Sequence, residues 1–336
     1  MAEVDFWNQN AFALLQQQFS DNSLHHAILL LGPDGIGRDT FAQELAQWML
    51  CQNKDRYSCN ECKSCSLFIA DNHPDYHHLG IEVDKTQISV AQVRELINDL
   101  HESSHQSGWK VANITNVMAL NASSFNALLK TLEEPQPNTL IILQSEQLQS
   151  VPPTIRSRSQ LVTLSVSDQQ AIRNWFEANN GFLSADLDMA LKIFPQAPYK
   201  AEDFAENGDA LKCSEFLYDL TSLFEASSQP LQIAKKWQGE IESCVFWWQL
   251  IIRDVLLFKQ MEQMDENTVH LQFSDKIEAI QQLSSSLNNQ GFLLLLDKIN
   301  ELQRLIKRRS PVNLMASWQS LMIYCSQIAS KYSSLG

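Results

Sequence analysis

Glycine is scarce in this chain, which has 10 glycines among 336 residues. That is about 3% of the residues, against roughly 7% in average proteins. Because glycine serves tight turns and left-handed backbone conformations, its scarcity disfavours a turn-rich β architecture and favours helices. The chain is longer than one typical domain of roughly 150 residues, so we expect two or three domains.

Basic residues are also few. Lys and Arg total 25 and Asp and Glu total 39, which gives a formal net charge of −14. Proteins that bind nucleic acid unaided neutralise its phosphates with clustered Lys and Arg. The charge therefore argues against a self-sufficient nucleic-acid binder.

Long apolar runs are missing. Residues 1–5 are acidic and carry no apolar stretch, so no secretory signal is expected. The most apolar stretch, 244–258, contains Gln249, Arg253 and Asp254 and is too short to span a bilayer. We expect a soluble, cytoplasmic protein that makes no membrane contact. In a reducing compartment its seven cysteines are expected to be metal ligands or core residues rather than disulfides.

Strands and helices alternate in the first half of the chain. A short apolar run at 26–31 leads into a glycine loop and then a helical pattern. The patterns that follow predict a helix at 90–101, a strand at 109–114, a helix at 123–133 and a strand at 139–143. This alternation predicts an α/β fold, with a parallel sheet between two helical layers over residues 1–165.

Only helical patterns follow this domain. Two short ones, at 168–177 and 185–194, predict a small helical lid over 166–204, closed by Pro195 and Pro198. The longer patterns lie at 211–224, 230–261, 274–287, 292–309 and 312–332. A separate all-α domain over 205–336 is the simplest interpretation.

Four cysteines lie within fifteen residues in the spacing C-x7-C-x2-C-x2-C: Cys51, Cys59, Cys62 and Cys65. Each C-x2-C turn directs two sulfurs toward one point, so four thiolates at this spacing predict a tetrahedral zinc site. Such a site has no open position for water or substrate, and we therefore expect structural zinc that orders the loop at 51–65. Buried cysteines or a redox C-x2-C pair are the alternatives. His73 could replace one cysteine, although a local hydrogen bond is the favoured interpretation of this histidine.

The glycine loop nearly matches a phosphate-binding P-loop, G-x4-G-K-[ST]. Gly32, Gly35 and Gly37 are present, but Arg38 and Asp39 stand where the motif has lysine and a hydroxyl. The glycines let backbone N–H groups face phosphate, the lysine neutralises its charge, and the hydroxyl holds Mg²⁺. Arginine keeps the charge without the compact ammonium, and an aspartate there repels phosphate. The loop is predicted to keep the shape of a nucleotide site without its chemistry.

A second defect concerns the next core strand. A hydrolysing ATPase needs acidic residues at the end of that strand, for Mg²⁺ and for the attacking water. The strand predicted at 109–114 is followed by Thr115 and Asn116, which carry no charge. Hydrolysis by this chain is therefore disfavoured.

The segment 126–135 reads Asn-Ala-Leu-Leu-Lys-Thr-Leu-Glu-Glu-Pro and precedes a strand and then Ser157-Arg158-Ser159. This arrangement resembles bacterial clamp-loader subunits of the AAA+ superfamily. The cysteines inserted after the first helix, together with the degenerate nucleotide motifs, narrow the resemblance to the delta-prime family of the DNA polymerase III clamp loader. Segments 73–76 and 93–96 are similar to that family as well.

The resemblance implies a pentameric ring that contains an ATPase subunit and a delta subunit and loads a sliding clamp on primed DNA. This chain would be a rigid, non-hydrolysing member joined to the ring through its helical domain. In such rings a Ser-Arg-Cys arginine reaches the neighbour's nucleotide, and Arg158 is the matching position, with Ser159 in place of cysteine. Arg156 is an alternative donor, and a solvated arginine is the plainer interpretation.

Two other functions stay open. An independent nucleotide-binding protein would use Arg38 and predicts ATP affinity for the isolated chain. A zinc-dependent nucleic-acid adaptor predicts DNA affinity with a steep salt dependence. Asp39 argues against the first function, and the net charge argues against the second.

Overall fold

Two compact units make up the chain in the computed structural model, which describes residues 5–83, 85–106, 108–179, 184–261, 271–307 and 313–332. The first unit comprises Met1–Asn180 with Phe194–Ala201, and the second comprises Gly181–Ile193 with Glu202–Gly336. The predicted order of an α/β part followed by an all-α part is confirmed. The predicted three-part division at 165 and 204 stays a prediction.

Five parallel strands form the sheet of the first unit. They are β1 (Ala27–Leu31), β2 (Tyr76–Leu79), β3 (Lys110–Ile114), β4 (Thr139–Ser145) and β5 (Gln160–Thr163). Their order across the sheet is β2-β3-β4-β1-β5. Every residue of β1, β3 and β4 is buried, as expected for parallel strands covered by helices on both faces. The loops that follow these three central strands meet at the carboxyl edge of the sheet.

Seven helices accompany this sheet within the described residues: α1 (Gln9–Ser20), α2 (Arg38–Leu50), α3 (Lys63–Ile69), α4 (Val90–His101), α5 (Ala122–Glu133), α6 (Pro153–Arg156) and α7 (Gln169–Asn179). The Ser89 side chain caps α4 in a reciprocal capping box with Gln92, and the Asn121 side chain caps α5. Helices α4 and α5 share one apolar core with β1, β3 and β4, whereas α2 packs against β3.

The second unit is helical throughout its described residues. Its helices are α8 (Ser184–Ile193), α9 (Pro198–Glu206), which begins in the first unit, α10 (Asp209–Phe224), α11 (Pro230–Lys236), α12 (Ile241–Met261), α13 (Ile277–Ser286), α14 (Asn289–Lys307) and α15 (Leu314–Lys331). In its core Phe216 contacts the rings of four tryptophans: Trp237, Trp247, Trp248 and Trp318. None of the helices described in either unit is both long and apolar enough to cross a bilayer.

Several predicted elements need correction. The helix predicted at 230–261 is two helices, α11 and α12, separated by a turn that contains Gly239. Pro198 begins α9 rather than closing a helical unit, which suits proline because the first helical position needs no N–H donor. Strands β2 and β5 and helix α1 were not predicted. The predicted helix ends at 309 and 312 lie outside the described residues.

Candidate functional site

Helix α2 carries the two motifs singled out in the sequence, one at each end. The glycine loop at 32–37 connects β1 to its N-terminus, and Cys51 follows its C-terminus. Phe41 and Leu45 on this helix are buried. The packed helix therefore fixes both motifs relative to the sheet.

The four predicted zinc ligands come together. The Sγ atoms of Cys51, Cys59, Cys62 and Cys65 all lie within 4.8 Å of one another, and those of Cys59 and Cys65 are 3.9 Å apart. Four sulfurs placed about 2.3 Å from a zinc ion are roughly 3.8 Å apart in a tetrahedron. The four cysteines can therefore hold a metal ion, and all of them are free thiols.

Backbone N–H groups point at three of these sulfurs. The N–H of Cys59 donates to Cys51 Sγ at 3.3 Å, that of Cys62 donates to Cys59 Sγ at 3.3 Å, and that of Cys65 donates to Cys62 Sγ at 3.4 Å. Burial pushes the pKa of Cys62 upward, but N–H donors from Cys65 and Gln52 outweigh it and lower the pKa to about 6. At Cys62 these donors favour the thiolate, which is the form that binds metal, whereas burial raises the pKa of Cys51 and of Cys65.

Trp48 ties the loop between the first two cysteines to α2. Its indole N–H donates to the carbonyl of Asp55 at 2.8 Å, and the Lys54 ammonium lies 5.3 Å from the centre of its ring. Most residues between Cys51 and Cys59 are exposed or only partly buried. The loop has little core of its own, so a bound metal would be one of its main restraints.

His73 is not among the grouped ligands. The Ser64 hydroxyl donates to the carbonyl of Leu50 at 2.7 Å, so it accepts a hydrogen bond from His73 Nε2, also at 2.7 Å. The other ring nitrogen, Nδ1, accepts the N–H of Asp75 at 3.1 Å. Burial lowers the pKa of His73, which favours the neutral ring, and the hydrogen bonds place its proton on Nε2. His73 therefore links the cysteine segment to the sheet through local hydrogen bonds.

The glycine loop has the left-handed backbone of a phosphate loop, with φ of +85° at Gly35 and +91° at Gly37. The chain itself covers the loop, however. The Trp7 indole N–H and the Asn8 amide both donate to the carbonyl of Ile36 at 3.0 Å. Neither residue was singled out in the sequence, because no spacing relates residues 7 and 8 to a loop almost thirty positions away.

Asp5 and Tyr199 also pack against the glycine loop. The Tyr199 backbone N–H donates to the carbonyl of Gly35 at 3.0 Å, and its hydroxyl donates to Asp5 Oδ1 at 2.6 Å. A side-chain carbon added at Gly37 would run into the Asp5 carboxylate and would lie 3.1 Å from the Tyr199 ring. A carboxylate thus lies against the backbone that faces phosphate in a working P-loop.

Arg38 is engaged within the loop itself. Its guanidinium donates to the carbonyl of Gly32, and its Nη2 lies 3.8 Å from the carboxylate of Glu146. Asp39 lies exposed in the first turn of α2, where a negative charge complements the helix dipole. Contacts within the chain therefore accommodate Arg38, and the helix dipole accommodates Asp39.

A cavity of about 330 Å³ lies beside this loop at the carboxyl edge of the sheet. Thr115 and Asn116 line it, and they follow β3 at the position where a hydrolysing ATPase has acidic residues. The other lining residues are Arg38, Met118, Gln144, Ser145, Glu146, Gln147 and Ser150. Glu146 is the one carboxylate in this set, and it already faces Arg38.

Arg158 lies on the surface, two residues after α6. Its Nη2 is 2.7 Å from Glu133 Oε1 at the end of α5. Its Nη1 donates to the Thr154 carbonyl at 3.0 Å and to the Ser157 hydroxyl at 3.2 Å. Arg156, the alternative donor, is exposed in the last turn of α6. The structure therefore places Arg158 in a defined set of contacts at a solvent-facing position.

Comparison with known proteins gives consistent relatives. A family described as "DNA polymerase III, delta subunit" matches residues 7–168. The DNA polymerase III subunit delta' of Haemophilus influenzae is 30% identical over 85% of this chain and 86% of that protein. The one from Pseudomonas aeruginosa is 27% identical over 96% and 97%. A solved gamma subunit-related protein from Thermotoga maritima is 16% identical, with a TM-score of 0.48 over 95% of this chain and 99% of that one.

Proposed function

Because the chain belongs to the delta-prime family of DNA polymerase III subunits, we propose that it serves in the clamp loader without hydrolysing ATP itself. Its partners are the other loader subunits in a pentameric ring, among them an ATPase subunit and a delta subunit. The ring loads a sliding clamp on primed DNA in the cytoplasm. With a net charge of −14, this subunit reaches DNA through its partners.

The covered glycine loop supports the absence of hydrolysis. The Asp5 carboxylate and Tyr199 lie against the loop, and the Arg38 guanidinium already contacts the Gly32 carbonyl and the Glu146 carboxylate. Thr115 and Asn116 offer no carboxylate for Mg²⁺ or water. The same contacts weigh against an independent nucleotide-binding protein. In this proposal the loop is a rigid part of the fold.

The position of Arg158 supports a role in ATP hydrolysis by a neighbouring subunit. Its guanidinium is partly exposed, so it can reach a nucleotide held by a neighbouring subunit. A guanidinium donates two parallel hydrogen bonds to phosphate oxygens. It stabilises the charge that develops on the γ-phosphate during transfer to water. Arg158 thus acts in trans on the neighbour's ATP.

Zinc completes the proposal as a structural ion. The thiolates of Cys51, Cys59, Cys62 and Cys65 would hold it, and their spacing suits a closed four-sulfur site. A closed site supplies no Lewis acid and no bound water. The ion's contribution is to order the loop that connects α2 to α3.

The complete loader, reconstituted with Arg158→Ala, tests the proposal through DNA-stimulated ATP turnover. We expect turnover to fall steeply, because arginines supplied in trans contribute about 10³–10⁵-fold in GTPases. Arg158→Lys should restore little of it, since lysine keeps the charge but loses the planar fork. Arg156→Ala is the matched control and should leave turnover unchanged. Unchanged turnover in an assembled Arg158→Ala loader would refute the trans role, and a loss only in Arg156→Ala would assign it to Arg156.

A further inference from the structure

Glu133 and Arg158 form an ion pair between two surface segments that lie far apart in sequence. Glu133 is the last residue of α5, and its Oε1 lies 2.7 Å from Arg158 Nη2. We propose that Glu133 is the positioning residue of Arg158, holding the guanidinium in the direction in which it meets the neighbour's nucleotide. This inference rests on the trans role of Arg158 proposed above.

The guanidinium is held at both terminal nitrogens. Glu133 binds Nη2, while the Thr154 carbonyl and the Ser157 hydroxyl accept from Nη1. Because the group is planar, contacts at both nitrogens fix the orientation of its plane as well as its position. A long arginine side chain would otherwise sample many rotamers. An arginine that is already oriented loses less freedom when it meets phosphate.

Fold stability does not account for this pair. The side chains are 35% exposed for Arg158 and 51% exposed for Glu133, so solvent screens their attraction and the pair contributes little to the folded state. Removing Glu133 should therefore leave the fold intact. A change in turnover on its removal then reports on the orientation of Arg158.

The location of Glu133 is also unfavourable for α5 taken alone. Helix carbonyl ends attract positive charge, and Lys130 in the last turn supplies it, but Glu133 and Glu134 follow at the same end. Pro135 prevents the helix from continuing past them. The helix dipole disfavours a carboxylate at this position, and proteins depart from such local preferences mainly at functional sites. Its contact with Arg158 supplies the reason.

The test compares Glu133→Ala, Glu133→Gln and the control Glu134→Ala in the reconstituted loader. Glu134 carries the same charge one position along, is exposed, and forms no ion pair or hydrogen bond with Arg158 among the described residues. An arginine that acts on the transition state affects kcat more than KM when it is misplaced. We therefore expect Glu133→Ala to lower kcat roughly three-fold or more, with the KM for ATP little changed. The upper bound is the ~10²-fold loss of rate that a 1 Å misplacement of a reacting group can cause.

Glu133→Gln should restore part of the loss, because an amide oxygen still accepts from Nη2, and Glu134→Ala should match the unaltered loader. In an Arg158→Ala background, Glu133→Ala should have no further effect, since the two residues act as a unit. Unchanged or increased kcat in Glu133→Ala overturns the positioning role, as does a full effect in the Arg158→Ala background. If Arg158→Ala itself leaves turnover unchanged, the proposed function fails first, and the two failures are thereby distinguished.

Discussion

The two ends of α2 differ in whether their motif is free to hold a ligand. At the C-terminal end, four cysteine sulfurs lie within 4.8 Å of one another and present a complete ligand set for a metal. At the N-terminal end, the glycine loop keeps its left-handed backbone, but Asp5, Tyr199 and the Arg38 side chain pack onto it. One end therefore has a set of side chains that could hold a metal, whereas the other has the backbone shape of a phosphate loop covered by its own chain.

In the function proposed above, the glycine loop binds no nucleotide and remains part of the fold. A phosphate loop needs open space in front of its N–H groups, and contacts within the chain can fill that space. A four-thiolate site has no such substitute, because the loop it orders lacks an apolar core. We therefore expect changes at the cysteine end to act through metal and changes at the glycine end to act through packing.

The largest expected effect comes from Cys65→Ser at the cysteine end. We expect about one zinc per chain in the unaltered protein and almost none in the variant, because a hydroxyl is a poor zinc ligand. The free energy of unfolding of the first unit should fall by several kcal/mol, less than the ~10–16 kcal/mol of zinc-finger peptides, since the sheet retains its own core. Metal analysis and thermal unfolding check both expectations.

Cys213→Ala is the control for this variant, because Cys213 is buried in α10 of the second unit and is not one of the four grouped cysteines. It should leave the zinc content unchanged. A Cys65→Ser protein with unaltered melting, or an unaltered protein that folds equally well without metal, contradicts the structural role.

An intermediate effect is expected at the glycine end from Gly37→Ala. Alanine would carry a side chain at φ of +91° and would displace the Asp5 carboxylate, so we expect a loss of about 2–4 kcal/mol in the free energy of unfolding. Gly108→Ala separates the cost of the positive φ from the cost of displacing Asp5. Gly108 also has a positive φ, +76°, but a side-chain carbon added there would face open space. This variant should cost only about 1–2 kcal/mol. Equal losses in urea unfolding would mean that Asp5 does not pack tightly on the loop.

The smallest effect is expected from Asp39→Asn at the first turn of α2. Removing the negative charge should lower the free energy of unfolding by about 0.3–1 kcal/mol, because the carboxylate complements the helix dipole. The loss should shrink at high salt, where exposed charges are screened. Chemical unfolding at two ionic strengths checks this, and a salt-independent loss would point to another cause.

Asp39→Thr, which restores the hydroxyl of the P-loop motif, extends the comparison. We expect no ATP affinity in calorimetry, because the loop stays covered. Measurable ATP binding would mean that the motif departures, rather than the packing, had closed the site.

The sequence predicted the centre of the sheet better than its edges. The apolar runs of β1, β3 and β4 were predicted because central parallel strands are buried on both faces. Strands β2 and β5 lie at the two edges and bury only Leu79 and Val162 fully, so no apolar run marks them. Helix α4 was predicted at its observed bounds, 90–101, where the local capping box of Ser89 and Gln92 sets its start.

At the candidate sites, the separation of residues along the sequence explains which contacts were predictable and which were not. The cysteine quartet was predictable because its ligands lie within fifteen residues. Asp5 and Tyr199 are 194 positions apart in the sequence, so no local spacing predicts their contact. Local spacing does not predict the pairing of Glu133 with Arg158 either, although both residues lie in the segments that carry the family resemblance. Their contact depends on how α5 and α6 pack.

Trp48 gives the cysteine loop an optical property. Its indole is hydrogen-bonded to Asp55 within the loop and faces the Lys54 ammonium, while the rest of the ring is buried on α2. Indole emission responds to local polarity and to neighbouring charge, so the order of this loop should be readable as fluorescence. Seven other tryptophans also emit, so the difference in fluorescence between the unaltered protein and Trp48→Phe isolates the signal that reports on the cysteine end of α2.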